Sequence, residues 1–164
     1  PEFEFDPMDE SAPSVLTKLS WRQTIIAGFL AMWLGGIAMY ATVVVPIGAG
    51  VLGSHEAFGF VTRRVSIGMN AIASGTLSLV LWNLLWTCRH RATRTMWITF
   101  AIMSATQLVL YFLHPWLDAL LDPEARRILD EDAFYDRHRI YLLVTTVQGL
   151  AGLLHFRALL NRRE

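Results

Sequence analysis

Four of the five histidines, His90, His114, His138 and His155, stand at the ends of apolar stretches. In a membrane protein that is the setting for ligands to haem b or to a divalent metal. His114 and His138 fall toward one face of the bundle and His90 and His155 toward the other, the layout of a two-haem cytochrome. Axial ligands need buried, opposed positions, and here His90 falls in a loop while His114 and His138 sit at interfaces. The histidines are therefore expected to be solvated or snorkelled, with no cofactor. A metal held by His114 and His138 with Asp118 or Asp136 is the alternative, and no ligand-spacing motif stands behind it.

A second set of candidates lies deeper in the apolar stretches: Asn70, Asn83, Gln107, Gln148 and His155. Polar groups at membrane depth are costly, so they face the interior of a helical bundle, bonded to each other or lining a polar cavity. Gln148 and His155 are seven residues apart, two turns along one helix face, with Gly152 between them and Thr145 on the same stripe. That stripe is the best candidate for a functional surface.

Other chemistry is sparse. Residues 118–136 carry the acids Asp118, Asp122, Glu124, Asp130, Glu131, Asp132 and Asp136. Such a run is expected to be a solvated face, or alternatively a means of concentrating cations at an entrance. There is no nucleophile elbow, phosphate-cradling glycine loop or His-Glu zinc motif, so enzymatic activity is not expected. The lone Cys88 excludes an internal disulfide and any cysteine-cluster metal site.

These residues are positioned by four charge-free runs, Gln23–His55, Val65–Cys88, Thr95–Leu117 and Ile140–Phe156. A helix rises about 1.5 Å per residue, so roughly 20 apolar residues cross a hydrocarbon core about 30 Å thick. In lipid the backbone must close its own hydrogen bonds, which makes each run a helix. The reading is an all-α integral membrane four-helix bundle, with helices over about 21–45, 65–87, 94–114 and 138–160. A hydrophobic fraction of 54% and a mean hydropathy of +0.39 suit it. Residues 8–164 form one domain, and Pro1–Pro7 ahead of Met8 read as a cloning remnant. Ser20 and Gln23 have capping-box spacing, and Pro46 and Pro115 mark helix ends. Asp122-Pro123-Glu124 supplies the cap of a short polar helix, Pro123–Tyr135, in the loop before the fourth helix.

Lys18, Arg22, Arg89, Arg91, Arg94, Arg157, Arg162 and Arg163 lie on one side of the spans. Arg63, Arg64, Arg126, Arg127, Arg137 and Arg139 lie on the other. The acid-free cluster Arg89, Arg91 and Arg94 places that loop and both termini in the cytoplasm of a cell or plasma membrane. Trp21, Trp86 and Trp97 then form an inner aromatic belt, and Tyr40, Tyr111, Trp116 and Tyr141 an outer one. Ala31 and Gly35 on helix one, Gly75 on helix two, and Gly149 and Gly152 on helix four offer small-residue stripes for helix packing or a homo-oligomer seam.

Several segments carry a resemblance: Trp33-Leu-Gly-Gly-Ile-Ala-Met39, Val43-Val-Val-Pro46, Phe58-Gly-Phe-Val-Thr-Arg-Arg64 and Phe134-Tyr-Asp-Arg-His138. Together they resemble the transmembrane protein 205-like family of four-helix membrane proteins. The resemblance implies a four-helix fold and points to His138 and the Phe58–Arg64 loop, while leaving the biochemistry undefined. Ser66–Asn70 departs from it, lacking the aromatic and histidine content of some relatives.

The function expected from all this is binding or passing a small solute or ion through the bundle, with the lipid bilayer as partner and no nucleic acid. The alternatives are a haem- or metal-binding redox protein and a scaffold acting through helix–helix contacts.

Overall fold

The computed structural model describes residues 20–53, 55–86, 93–122, 124–125 and 127–161. The Pro1–Pro7 segment, Cys88, His90 and the basic residues Lys18, Arg89, Arg91, Arg126, Arg162 and Arg163 lie outside them, as does Pro123. The fold is all-α, with helices α1 (Trp21–Met39), α2 (Val45–Leu52), α3 (His55–Trp86), α4 (Arg94–Asp118) and α5 (Glu131–Leu160). A π turn over Tyr40–Val44 joins α1 to α2 as one rod, and a small hairpin of β1 (Leu121–Asp122) and β2 (Arg127–Ile128) precedes α5. Four rods result, each long and apolar enough to cross a membrane. Each packs on its neighbour in sequence, and α5 closes the ring against α1.

Local chemistry explains most helix ends. Ser20 caps α1 in a reciprocal box, its amide donating to Gln23 Oε1 (2.9 Å) and its hydroxyl accepting from the Gln23 amide (3.5 Å). Thr93 caps α4 by accepting from the Met96 amide, and Gly53, at φ 61°, ends α2 in the left-handed conformation that glycine adopts without a Cβ clash.

Pro46 does not end the first rod. Lacking an N–H, it would leave an ordinary helix one bond short; instead the chain widens, and the Val45 amide donates five residues back to the Tyr40 carbonyl. Nor does Pro115 end α4, which runs one turn further to Asp118. That turn is pinned from outside: Asp118 takes a two-pronged bond from Arg63, and the Trp116 carbonyl accepts from Arg137 at 2.8 Å. The second and fourth helices likewise begin earlier than their charge-free runs, at His55 and Glu131. Charged residues there extend the helices beyond the apolar segment.

Of the expected polar helix over Pro123–Tyr135, the part from Glu131 is helical and continuous with α5, while the chain before it forms the hairpin, with Leu121 opposite Ile128 and Asp122 opposite Arg127. Asp122 does accept amide protons, from Glu124 and Ala125 at 3.0 Å each, but it does so inside a turn. The same side-chain chemistry serves Asx turns and helix caps alike. The true cap is Asp130, which accepts from the Ala133 amide, with Glu131 and Asp132 in the first turn of α5.

The interior is layered along the bundle axis. Toward the chain termini lies one apolar cluster, including Ile26, Leu30, Trp33, Val80, Leu84, Met96, Met103 and Leu159. Toward the hairpin lies a smaller one of Leu110, Leu113, Leu117 and Tyr141. Side chains pointing outward are also apolar; only 11% to 33% of the most apolar stretch of each rod is buried between helices.

Candidate functional site

A polar layer separates the two apolar clusters. Gln148 Nε2 on α5 donates to Gln107 Oε1 on α4 at 2.7 Å and reaches the Met103 carbonyl at 3.4 Å. Gln107 Nε2 donates to the Asn70 carbonyl on α3 (3.5 Å), and Asn70 Nδ2 donates to the Tyr141 hydroxyl on α5 (3.1 Å). Asn70, Gln107 and Gln148 are all buried. In this way the network ties three helices together, and its donors largely find partners without water.

Beside this layer opens a cavity of about 510 Å³ between the π turn and α2 on one side and α3 and α5 on the other. That is within the range of small-molecule sites, about 300–1,000 Å³. Trp33, Met69, Asn70 and Gln148 form its end toward the termini, and Phe134, Tyr135 and His138 its end toward the hairpin. Tyr40, Thr62, Ser66, Thr145 and Thr146 add hydroxyls. Ala41, Leu142 and Thr146, which also border it, are exposed on the π turn and α5, as is Tyr135 at the hairpin end. The cavity therefore reaches the surface between the first and last rods and beside Tyr135.

Two lining groups are held ready. The Tyr40 hydroxyl is buried beside the Thr62 hydroxyl, whose oxygen can accept from it while donating its own proton to the Gly59 carbonyl at 2.7 Å. His138 stacks face to face on Phe134, ring centroids 5.9 Å apart and planes within 6°, which fixes the imidazole plane at the cavity wall.

His155 lies apart from this site. It is fully buried near the termini, with Nδ1 2.8 Å from Thr99 Oγ1. The Thr99 hydroxyl also contacts the Thr95 and Met96 carbonyls at 2.9 and 3.1 Å. With the Thr99 proton placed on a carbonyl, a proton on Nδ1 would let the imidazole donate to Oγ1. The stripe Thr145, Gln148 and His155 is thus divided: the first two line the cavity, and the third belongs to packed core.

His114 and His138 both line a small recess of about 40 Å³ beside the cavity, together with Asp118 and Arg63. His114 Nε2 stands 3.8 Å from Asp118 Oδ2, and both Asp118 oxygens are taken by Arg63, at 2.8 and 2.9 Å. A cation on Asp118 would have to displace the guanidinium. Among the described residues no group of three or more His, Cys, Asp or Glu side chains gathers as a metal site.

The small-residue stripes are corrected as well. Gly152 is a genuine close approach: a Cβ there would meet the Trp33 ring at 2.9 Å and Leu34 at 3.1 Å. Gly35, Gly75 and Gly149 would meet nothing within 4 Å, and Ala31, Gly35 and Gly75 face outward. The Ala31–Gly35 stripe does not join helices within this bundle. Two members of the expected outer belt, Tyr40 and Tyr141, turn inward to the cavity, whereas Tyr111 and Trp116 remain exposed. At the opposite end the Arg22 guanidinium lies 5.5, 5.8 and 5.2 Å from the rings of Trp21, Trp82 and Trp86.

Fold and site together define a four-rod helical bundle with an outward apolar surface and, among the described residues, an open cavity whose largely apolar wall carries several uncharged polar groups. Comparison with protein-family models, curated proteins and solved structures finds no match to the chain.

Proposed function

We propose that the chain is a multi-pass membrane protein whose bundle holds a small solute in the cavity beside the Asn70–Gln107–Gln148 layer. The observation that carries this is the cavity itself: uncharged polar groups from the π turn, α3 and α5 converge on an apolar-walled space of ligand size. The apolar outer surface supports insertion, because exposing so much of it to water would cost far more than a fold gains. Packing supports binding rather than passage, since Leu30, Trp33, Met96, Met103 and His155 fill the bundle toward the termini. The placement of both termini in the cytoplasm rests on the basic loop before α4, and a bilayer remains the partner this surface asks for.

Insertion is tested by alkaline extraction of membranes: the chain is expected to stay in the pellet, and release into the supernatant would contradict it. Binding is tested by native mass spectrometry of protein extracted in mild detergent. Wild type is expected to retain a small adduct that Thr145→Trp loses. Identical bare masses for both proteins would contradict the proposal.

A further inference from the structure

We infer that the cavity takes an uncharged lipid-like molecule, with an oxygen-bearing head inside and an apolar tail leaving through the gap between the first and last rods. This rests on the proposed binding role and adds the chemical class and route of entry. Three observations carry it. Among the described residues, none that lines the cavity is acidic or basic apart from His138; a charged head would be desolvated there without a counter-charge from them, a cost of several kcal/mol. Arg63 and Asp118 line an adjoining recess of about 40 Å³ and are already joined to each other.

The second observation is the Tyr40 hydroxyl, buried at the cavity wall beside the Thr62 hydroxyl and without a closely placed protein partner. A ligand carbonyl or hydroxyl oxygen would give its proton a better acceptor. The third is the position of the mouth. Ala41 and Leu142 face outward at the level of the apolar rods, so the cavity has an edge that would meet lipid, besides the exposed Tyr135 at its hairpin end. The π turn forced by Pro46 sets Tyr40 and Ala41 at that mouth, and such turns recur at functional sites.

The test measures binding of three probes to purified protein in detergent: monoolein, decylubiquinone, and a lysophosphatidylglycerol with the same acyl chain as monoolein. A neutral probe is expected to bind at least about tenfold more tightly than the anionic one. Which of the two neutral probes binds tells a hydroxyl head from a quinone head. Tyr40→Phe is expected to weaken binding roughly five- to tenfold, the loss of one hydrogen bond. Ala41→Trp, on the exposed mouth, is expected to abolish binding, while Leu150→Trp, lipid-facing and outside the cavity, leaves it unchanged. Equal affinity for the anionic probe overturns the inference, and so does neutral binding indifferent to Ala41→Trp and Tyr40→Phe, which marks annular lipid. A native adduct that neither neutral probe displaces leaves the binding role standing and removes the lipid class. Absence of both adduct and probe binding removes the two together.

Discussion

The two ends of this bundle are built from similar residues yet packed to different densities. Toward the termini, Trp33 lies over Gly152, with Leu30, Met96, Met103 and His155 buried around it. Toward the hairpin, the π turn carries the first rod past α5 without filling the space between them, and Tyr40, Ser66, His138 and Tyr141 face a void. Density at one end supplies rigidity; incompleteness at the other leaves room for a ligand. Local backbone chemistry at Pro46, rather than a change in composition, marks the boundary.

The comparison breaks most readily if a bulky residue has the same effect at both ends. Thr99→Phe, in the packed end, is expected to cost about 3 kcal/mol or more through overpacking. Thr145→Phe, at the cavity wall, is expected to stay within about 1 kcal/mol, because the ring has space to enter. Thermal unfolding in detergent reads both, and equal losses would erase the distinction.

Glycines give the next test. Gly152→Ala drives a methyl into the Trp33 ring and is expected to cost about 1–3 kcal/mol. Gly35→Ala and Gly149→Ala meet nothing within 4 Å and are expected to be neutral or slightly stabilising, by about 0.5 kcal/mol. Between the ends, Gln148→Leu removes the donor to Gln107 and is expected to cost about 1–2 kcal/mol. Adding Gln107→Leu should cost less than its single-mutant value, with a coupling near 0.6 kcal/mol, as interhelical bonds in membranes show. A strictly additive double mutant would mean that the polar layer does not act as a unit.

The four rods and their buried polar layer were legible because charge and apolarity are one-dimensional signals: Asn70, Gln107 and Gln148 stand out against their neighbours wherever the helices point. Rod ends were less so. Arg63 and Asp118 look like interface charges until the fold pairs them across fifty-five positions and carries α4 past Pro115. Asp122 and Asp130 present the same capping chemistry, and only strand pairing at Leu121 and Ile128 assigns the first to a turn. The cavity was not legible at all, since it depends on helix rotation. Tyr40 and Tyr141 have the composition of a belt and the orientation of a lining. Pro46 inside the uninterrupted charge-free run Gln23–His55 was the available signal, because a proline there kinks or widens a helix as readily as it stops one.

The difference between the ends can be seen directly in an experimental density map of the protein in a lipid nanodisc. Non-protein density is expected between Tyr40, His138 and Tyr141, reaching the surface beside Ala41, with none around His155. A map in which Ile37 and Ala41 close onto Leu142 and Thr146, leaving no space between the first and last rods, would contradict the account.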